Sequence, residues 1–157
     1  RIRLLLEMFP DARFVHLVRN PLETIPSRLS LIRAIWRQRF TSQIEMTAEQ
    51  VETILQDSIR TYTFADRDLA QLNPNQYISI QYETFLHDVP GATDSIYARF
   101  GLGEPDQSLR SALARHSERS GHPRGVHEYS LEAFGLSAQA ISAPLQAVME
   151  RYQFARP

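Results

Sequence analysis

The sequence predicts an α/β protein with a central parallel sheet flanked by helices. Two short apolar segments with strand character, 14–18 and 77–82, are separated by two helical segments. A connection of that length suits a parallel crossover and not a hairpin, so the strands are expected to run in the same direction. A chain of 157 residues with 43% hydrophobic residues is large enough for one domain with its own core. We therefore expect residues 1–157 to form a single domain.

The beginning of the chain has the pattern of helix, strand and helix. Apolar residues recur at helical spacing from Ile2 and stop at Pro10, which predicts a short amphipathic helix. The run FVHLV at 14–18 is mostly apolar, as in a strand that is covered on both faces. Asn20 and Pro21 then favour a helix start, because asparagine caps helices and proline is tolerated at the first helical position. The predicted strand thus leads through a tight turn into a helix.

A capping box marks the next helix. The residues TAEQ at 47–50 place a threonine three positions before a glutamine, and apolar residues keep helical spacing from there until 73–75. The alternating run YISIQY then predicts the second strand at 77–82. This helix and the one before it form the crossover between the two strands.

Caps and breaks also define the last helices. Asp88 and Asp106 are expected to cap two helices, with Gly101 as the C-terminal stop of the first. Apolar residues keep helical spacing again over 137–152, where Pro144 is expected to kink or split the helix. The second half of the chain is therefore predicted to be mainly helical.

Composition excludes several kinds of chemistry. The chain has 17 basic and 18 acidic residues, so its net charge gives no reason to expect a nucleic-acid or acidic-membrane partner. Lysine is absent, which excludes a catalytic amine and the lysine of a Gly-Lys-Ser/Thr phosphate loop. Cysteine is absent as well, which excludes thiol nucleophiles and disulfides. The five histidines lack metal-ligand spacing, so no metal is predicted.

The same composition bears on location. No segment has the length of apolar chain that a membrane span needs, and the start lacks a signal-peptide pattern. The absence of cysteine favours a reducing compartment. A cytoplasmic location is the expectation.

The end of the first strand is the candidate binding site. Ligands of parallel sheets bind outside the carboxyl ends of the strands, and Arg19 follows the first strand directly. Ser27 stands eight residues later, little more than two helical turns on, so a guanidinium and a hydroxyl can close on one phosphate near a helix N-terminus. The alternative is that Arg19 pairs with a surface carboxylate such as Glu23 while Ser27 faces solvent.

These residues also carry a family resemblance. The run FPDARFVHLVRNPLETIPSRLSL at 9–31 resembles the 3′-phosphate-binding segment of sulfotransferases that use 3′-phosphoadenosine 5′-phosphosulfate (PAPS), with Arg19, Pro21 and Ser27 at the matching positions. The run ISIQYETFLHDV is similar to the family's Tyr-Glu-Asp/Glu-Leu segment. This similarity implies that Tyr82 contacts the adenine.

The similarity continues further along the chain. FGL at 100–102 and HEYSLEAFGLS at 127–137 are like the tail of the bacterial-type branch, whereas Thr84 departs from the usual acidic residue. The resemblance implies a three-layer sulfotransferase fold related to phosphate-loop nucleotide-binding proteins. It also implies transfer of a sulfuryl group from PAPS to a hydroxyl or amine acceptor without a metal.

The resemblance further implies that part of the donor site is missing from these residues. Sulfotransferases hold the 5′-phosphosulfate in a glycine-rich loop near their N-terminus, but no glycine precedes Gly91. We therefore expect an N-terminally truncated domain that supplies the 3′-phosphate and adenine half of the site. The catalytic residues are expected upstream of Arg1.

A later polar segment, 117–128, completes the predicted site. The family closes an arginine- and glycine-containing loop over the 3′-phosphate, and Arg124 and Gly125 are the candidates for this role. A solvated basic loop is the alternative.

The sequence is also compatible with two other functions. Residues 13–39 contain six arginines and one acid, together with Trp36, so an anion- or nucleic-acid-binding face is conceivable. The second alternative is a non-catalytic sulfotransferase-like module that binds a partner. Preference for 3′,5′-bisphosphorylated adenosine over 5′-ADP separates nucleotide recognition from a general affinity for phosphate.

Overall fold

The chain is mostly helical and contains a small parallel sheet, which agrees with the α/β prediction at that level. The structure is a computed structural model that describes residues 2–40, 45–119 and 130–154. The described residues form two compact units. The sheet unit comprises 2–19 and 68–119, and the helical unit comprises 20–40, 45–67 and 130–154.

The sheet consists of two parallel strands in the described part of the chain. Strand β1 (Phe14–Val18) pairs with strand β2 (Tyr77–Gln81), so that Val18 lies opposite Gln81. Both predicted strands and their parallel direction are confirmed. Tyr82, expected as the last strand residue, is instead the first residue of helix α4 (Tyr82–His87).

One face of β1 is exposed, whereas the sequence predicted a strand that is covered on both faces. Val15 and Leu17 share a face because strand side chains alternate, and they are 45% and 46% exposed. On the other face, His16 Nδ1 lies 3.3 Å from Ser79 Oγ, at the directly paired position. An apolar run favours burial on both faces, but it does not supply the element that would cover them.

The other helices of the sheet unit are α1 (Ile2–Met8), α5 (Val89–Phe100) and α6 (Gln107–Arg119). Predicted signals mark both ends of α5 and the start of α6. Asp88 Oδ1 accepts from the Gly91 N–H at 2.8 Å, and Asp106 Oδ1 accepts from the Leu109 N–H at 2.7 Å. Gly101 ends α5 in a left-handed conformation with φ +60°.

Helix α6 and a short turn complete the sheet unit. Because α6 runs to Arg119, the first three residues of the predicted loop at 117–128 are helical. A 3-10 turn at Pro74–Gln76, capped by the Asn73 side chain, precedes β2. The side-chain amide of Gln76 donates to the Pro10 carbonyl at 3.1 Å, which ties this turn to the turn after α1.

The helical unit is built on two long helices and a split C-terminal pair. These are α2 (Pro21–Arg39), α3 (Ala48–Leu69, whose last two residues belong to the sheet unit), α7 (Ala138–Ser142) and α8 (Gln146–Arg151). Pro144 separates α7 from α8, as predicted. The core is apolar and contains the buried side chains Ile25, Leu29, Val51, Leu55, Ile59, Ile141, Leu145, Val148, Met149 and Phe154.

The capping box predicted at the start of α3 is present. Gln50 Oε1 accepts from the Thr47 N–H at 2.9 Å, and Thr47 Oγ1 accepts from the Gln50 N–H at 3.3 Å. This reciprocal pair satisfies two backbone donors that the helix itself leaves without an acceptor. The start of α3 therefore follows from four consecutive residues.

Polar contacts join the helices of this unit. Arg28 donates to Asp57 Oδ2 at 2.6 Å and to Ser58 Oγ at 2.8 Å, and Ser58 is only 4% exposed. Arg151 Nη1 lies 2.8 Å from Asp66 Oδ1, which connects α8 to α3. Charged groups thus fix the helices around a core that is otherwise apolar. None of the helices in the described residues is long and apolar enough to cross a membrane.

Candidate functional site

The candidate site in the sheet unit lies where both strands end. Arg19 is the residue after β1, and Tyr82 is the residue after β2. The last strand residues, Val18 and Gln81, are paired in register, so the next two residues leave the sheet at matching positions. The parallel register therefore places Arg19 beside Tyr82, although 63 residues separate them in sequence.

Arg19 contacts both Tyr82 and its neighbour Glu83. The guanidinium carbon lies 5.2 Å from the centroid of the Tyr82 ring, within the range of a cation–π interaction. Arg19 Nε lies 3.5 Å from Glu83 Oε1. The structure therefore brings Arg19 and Tyr82 together, two residues that the sequence assigned to the same ligand.

The exposure of these side chains leaves room for a ligand. The side chains of Arg19 and Glu83 are 39% and 40% exposed, and Tyr82 is half-buried. A half-exposed guanidinium beside an aromatic ring suits a ligand that combines an anionic group with a flat heterocycle. The carboxylate of Glu83 would oppose an anion bound at Arg19, because like charges repel.

Glu83 contacts Arg19, and the sequence pattern did not predict this contact. The signal that finds it is the strand register, because a residue that follows Tyr82 in the first turn of α4 comes within reach of Arg19. The register is set by the tertiary structure, so it cannot be read from the sequence.

Ser27, the second predicted phosphate ligand, lies in the helical unit. It is half-buried on α2. The prediction that α2 opens at Pro21 with Asn20 as its cap is confirmed, since Asn20 Oδ1 accepts from the Leu22 N–H at 3.0 Å. A role for Ser27 in phosphate binding stays a prediction.

The backbone N–H groups in the first turn of α2 are hydrogen-bonded within that turn. Pro21 has no N–H, the Leu22 N–H is bonded to the cap, and the N–H groups of Glu23 and Thr24 both donate to the Asn20 carbonyl at 3.0 Å. These donors are satisfied within the turn. Recognition of an anion here therefore depends on side chains.

The remaining predicted ligands lie outside the described residues. Arg124 and Gly125 fall in the segment 120–129, which the structure does not describe. Their proposed contact with the 3′-phosphate stays a prediction.

The arginine-rich segment at 13–39 gives little support to a nucleic-acid face. Such a face needs guanidinium groups that are available to phosphates. Apart from Arg19, four of its six arginines have partners within their own unit, as follows: Arg13 with the Phe100 ring, Arg28 with Asp57 and Ser58, Arg33 with the Phe134 ring, and Arg37 with Glu45. These contacts commit most of the local positive charge to the fold.

Metal-binding chemistry has no candidate in the described ranges. Over residues 2–40, 45–119 and 130–154, no group of three or more His, Asp or Glu side chains is arranged to hold a metal ion.

Comparison with known proteins identifies the relatives of this chain. The model of the sulfotransferase family matches residues 1–106. An omega-hydroxy-beta-dihydromenaquinone-9 sulfotransferase of Mycobacterium bovis is 29% identical over 121 residues, which are 75% of this chain and 31% of that protein. The protein of the same description from Mycobacterium tuberculosis matches to the same extent. The chain thus spans about a third of the length of these relatives, and no solved structure matches it.

Proposed function

This chain belongs to the sulfotransferase family, and on that premise we propose that it supplies the 3′-phosphate and adenine half of a PAPS site. The observation that carries the proposal is the position of the Arg19 guanidinium, which is held against the Tyr82 ring where the parallel strands end. Arginine is suited to phosphate because its planar fork donates two parallel hydrogen bonds to one anion.

The half-exposed site has the chemistry that this ligand requires. A 3′-phosphate brings negative charge to Arg19, and the adenine brings a flat ring to Tyr82. Ser27, with a hydroxyl donor, is proposed as a second ligand of the same phosphate. Arg124 and Gly125 are proposed as the loop that closes over it.

The reaction proposed for the whole enzyme is in-line sulfuryl transfer. The bond between sulfur and the bridging oxygen of the donor breaks, a bond from sulfur to the acceptor oxygen forms, and the acceptor proton passes to a base. Such a reaction depends on positioning and on neutralising charge on the leaving group. Arg19 and Ser27 would hold the distant phosphate and thereby set the register of the donor, and no residue of this chain is assigned as the base.

The fold and the acceptor are part of the same proposal. We propose that the parallel sheet belongs to the three-layer, phosphate-loop-like architecture of sulfotransferases. The two mycobacterial relatives are named as sulfotransferases of a compound with a hydroxy group. A hydroxyl acceptor is therefore proposed for this protein in preference to an amine.

Nucleotide titration of the full chain tests the proposal. Isothermal titration calorimetry is expected to show that 3′,5′-ADP binds at least about tenfold more tightly than 5′-ADP, since a charge-assisted phosphate contact contributes about 1.5 to 3 kcal/mol. Arg19→Ala is expected to abolish measurable binding of 3′,5′-ADP. Arg99→Ala, which removes an exposed arginine of α5, is the matched control and is expected to bind as wild type does.

Two results would contradict the proposal. Equal affinities for 3′,5′-ADP and 5′-ADP in the wild-type chain would mean that no site recognises the 3′-phosphate. Unchanged binding in Arg19→Ala would remove this residue from the site.

A further inference from the structure

We propose that Glu83 is a positioning residue, which holds the Arg19 guanidinium in the orientation that receives the 3′-phosphate. This inference rests on the proposed function. Glu83 approaches Arg19 from the Nε side, at 3.5 Å, while the Tyr82 ring lies against the guanidinium at 5.2 Å. Two consecutive residues therefore restrain one guanidinium, one at its edge and one at its face.

The burial of one carboxylate oxygen supports this role. Glu83 Oε1 is buried and accepts no hydrogen bond from the described residues, although the side chain as a whole is 40% exposed. A buried carboxylate oxygen without a hydrogen-bond donor is unfavourable for folding, and a partly exposed ion pair at 3.5 Å contributes little to stability. Glu83 therefore adds little to the stability of the fold, which is consistent with a role in orienting Arg19.

The geometry of a guanidinium explains how this contact directs a ligand. Arginine presents two edges that donate in parallel, one formed by Nε with an Nη atom and one formed by the two Nη atoms. With the carboxylate beside Nε, the contact fixes the direction in which the guanidinium faces a ligand. Because the long arginine side chain is already restrained, binding loses less conformational entropy than with a mobile one.

The position and the charge of Glu83 act in opposite directions. Its position orients Arg19 and favours binding, whereas its negative charge repels the phosphate. Substitutions separate the two effects, because alanine removes both the contact and the charge. Glutamine removes only the charge and keeps an oxygen that can lie beside Nε.

Calorimetry on the full chain with 3′,5′-ADP and 5′-ADP tests the inference. Glu83→Ala is expected to weaken 3′,5′-ADP binding about two- to threefold, the effect of losing a partly exposed ion pair. Binding of 5′-ADP is expected to stay unchanged, because that nucleotide has no 3′-phosphate. Glu83→Gln is expected to bind 3′,5′-ADP at least as tightly as wild type.

Two controls accompany these variants. Glu7→Gln removes an exposed carboxylate of α1 and is expected to have no effect on either nucleotide. Arg19→Lys supplies a second test, since lysine has no Nε edge. In that background Glu83→Ala is expected not to weaken binding any further, because no Nε contact remains to be lost, and circular dichroism checks that each variant is folded.

The outcomes distinguish the two proposals. If wild type shows no preference for 3′,5′-ADP, the proposed function fails and this inference fails with it. If the preference is present but Glu83→Ala leaves it unchanged or strengthens it, only the positioning role is overturned. Equal losses in the alanine and glutamine variants, or equal losses for both nucleotides, would also overturn it.

Discussion

Arg19 and Tyr82 occupy equivalent positions, each one residue beyond the paired strand ends Val18 and Gln81, and the guanidinium of one lies 5.2 Å from the ring centroid of the other. Parallel strands that end in register deliver two distant residues to one place. This contact links the sequence pattern of the first strand to that of the second. A substitution at either residue is therefore expected to disturb the candidate site.

Removing the Tyr82 ring is expected to weaken nucleotide binding. Tyr82→Leu loses the face on which Arg19 rests, and a half-exposed cation–π contact contributes about 0.5 to 1 kcal/mol, so the affinity for 3′,5′-ADP is expected to fall about threefold or more. Tyr82→Phe keeps the ring and is the matched control. If phenylalanine lowers the affinity as much as leucine does in the same calorimetric titration, the ring is not the source of the effect.

Removing the Ser27 hydroxyl is expected to affect only the nucleotide that carries a 3′-phosphate. Ser27→Ala loses one hydrogen bond to a charged group, so binding of 3′,5′-ADP is expected to weaken about tenfold while 5′-ADP is unaffected. Ser30→Ala, at another half-buried serine of α2, is the control. A tenfold loss for both nucleotides would indicate a change in the helix and not in a phosphate contact.

The contact between Arg28 and Asp57 predicts a pH-dependent contribution to stability. The hydrogen bond from Arg28, followed by the attraction of its charge, lowers the pKa of Asp57 from its ordinary value of 3.8. A lowered pKa in the folded state stabilises the protein above the unfolded pKa, and this contribution disappears as pH falls through the folded pKa. Asp57→Asn is therefore expected to lower the free energy of unfolding at pH 7.

Urea unfolding at several pH values measures this effect. The difference in unfolding free energy between wild type and Asp57→Asn is expected to be constant from pH 7 to pH 5 and to shrink below about pH 4. Asp11→Asn removes a carboxylate from the exposed turn after α1 and serves as the control. A difference that persists unchanged at pH 2 would show that the ion pair does not stabilise the helical unit.

The pair formed by Asp66 and Arg151 predicts a coupled effect on stability. The Asp66 side chain is only 17% exposed, and Arg151 lies 2.8 Å from its Oδ1. Arg151→Ala is expected to destabilise the protein by about 1 to 3 kcal/mol, because it leaves a mostly buried carboxylate without its cation.

A double-mutant cycle measured by chemical unfolding checks this coupling. Adding Asp66→Asn to Arg151→Ala is expected to recover part of the lost stability, because the unpaired charge is removed. Strictly additive effects of the two substitutions would contradict the coupling. Arg115→Ala, at an exposed arginine of α6, is expected to change stability little.

Local signals predicted most of the secondary structure because they act over a few residues. A cap, a capping box or a glycine stop depends on backbone groups no more than four positions away, and those at Asn20, Thr47, Asp88, Asp106 and Gly101 all appear where the sequence placed them. Pro144 splits the last helix for the same reason, since it removes a backbone donor. Such features need no knowledge of the fold.

Other features were wrong or missing because they depend on distant parts of the chain. The pattern of β1 predicted cover on both faces, whereas Val15 and Leu17 are exposed. The alternating pattern predicted that the second strand includes Tyr82, but Tyr82 is the first residue of α4. Periodicity reports which side chains favour burial, but the packing of other segments decides which of them are buried.

The candidate site shows the same division. The sequence by itself determined most of the helices, both strands, the caps and the parallel direction of the strands, and it identified Arg19 as a candidate ligand. Only the tertiary structure decided that Glu83 contacts Arg19 and that Tyr82 lies against it, since the register of β1 and β2 brings residues 63 and 64 positions apart into contact. Strand pairing aligns whole segments, and the meeting of residues beyond their ends follows from that alignment and not from any local pattern.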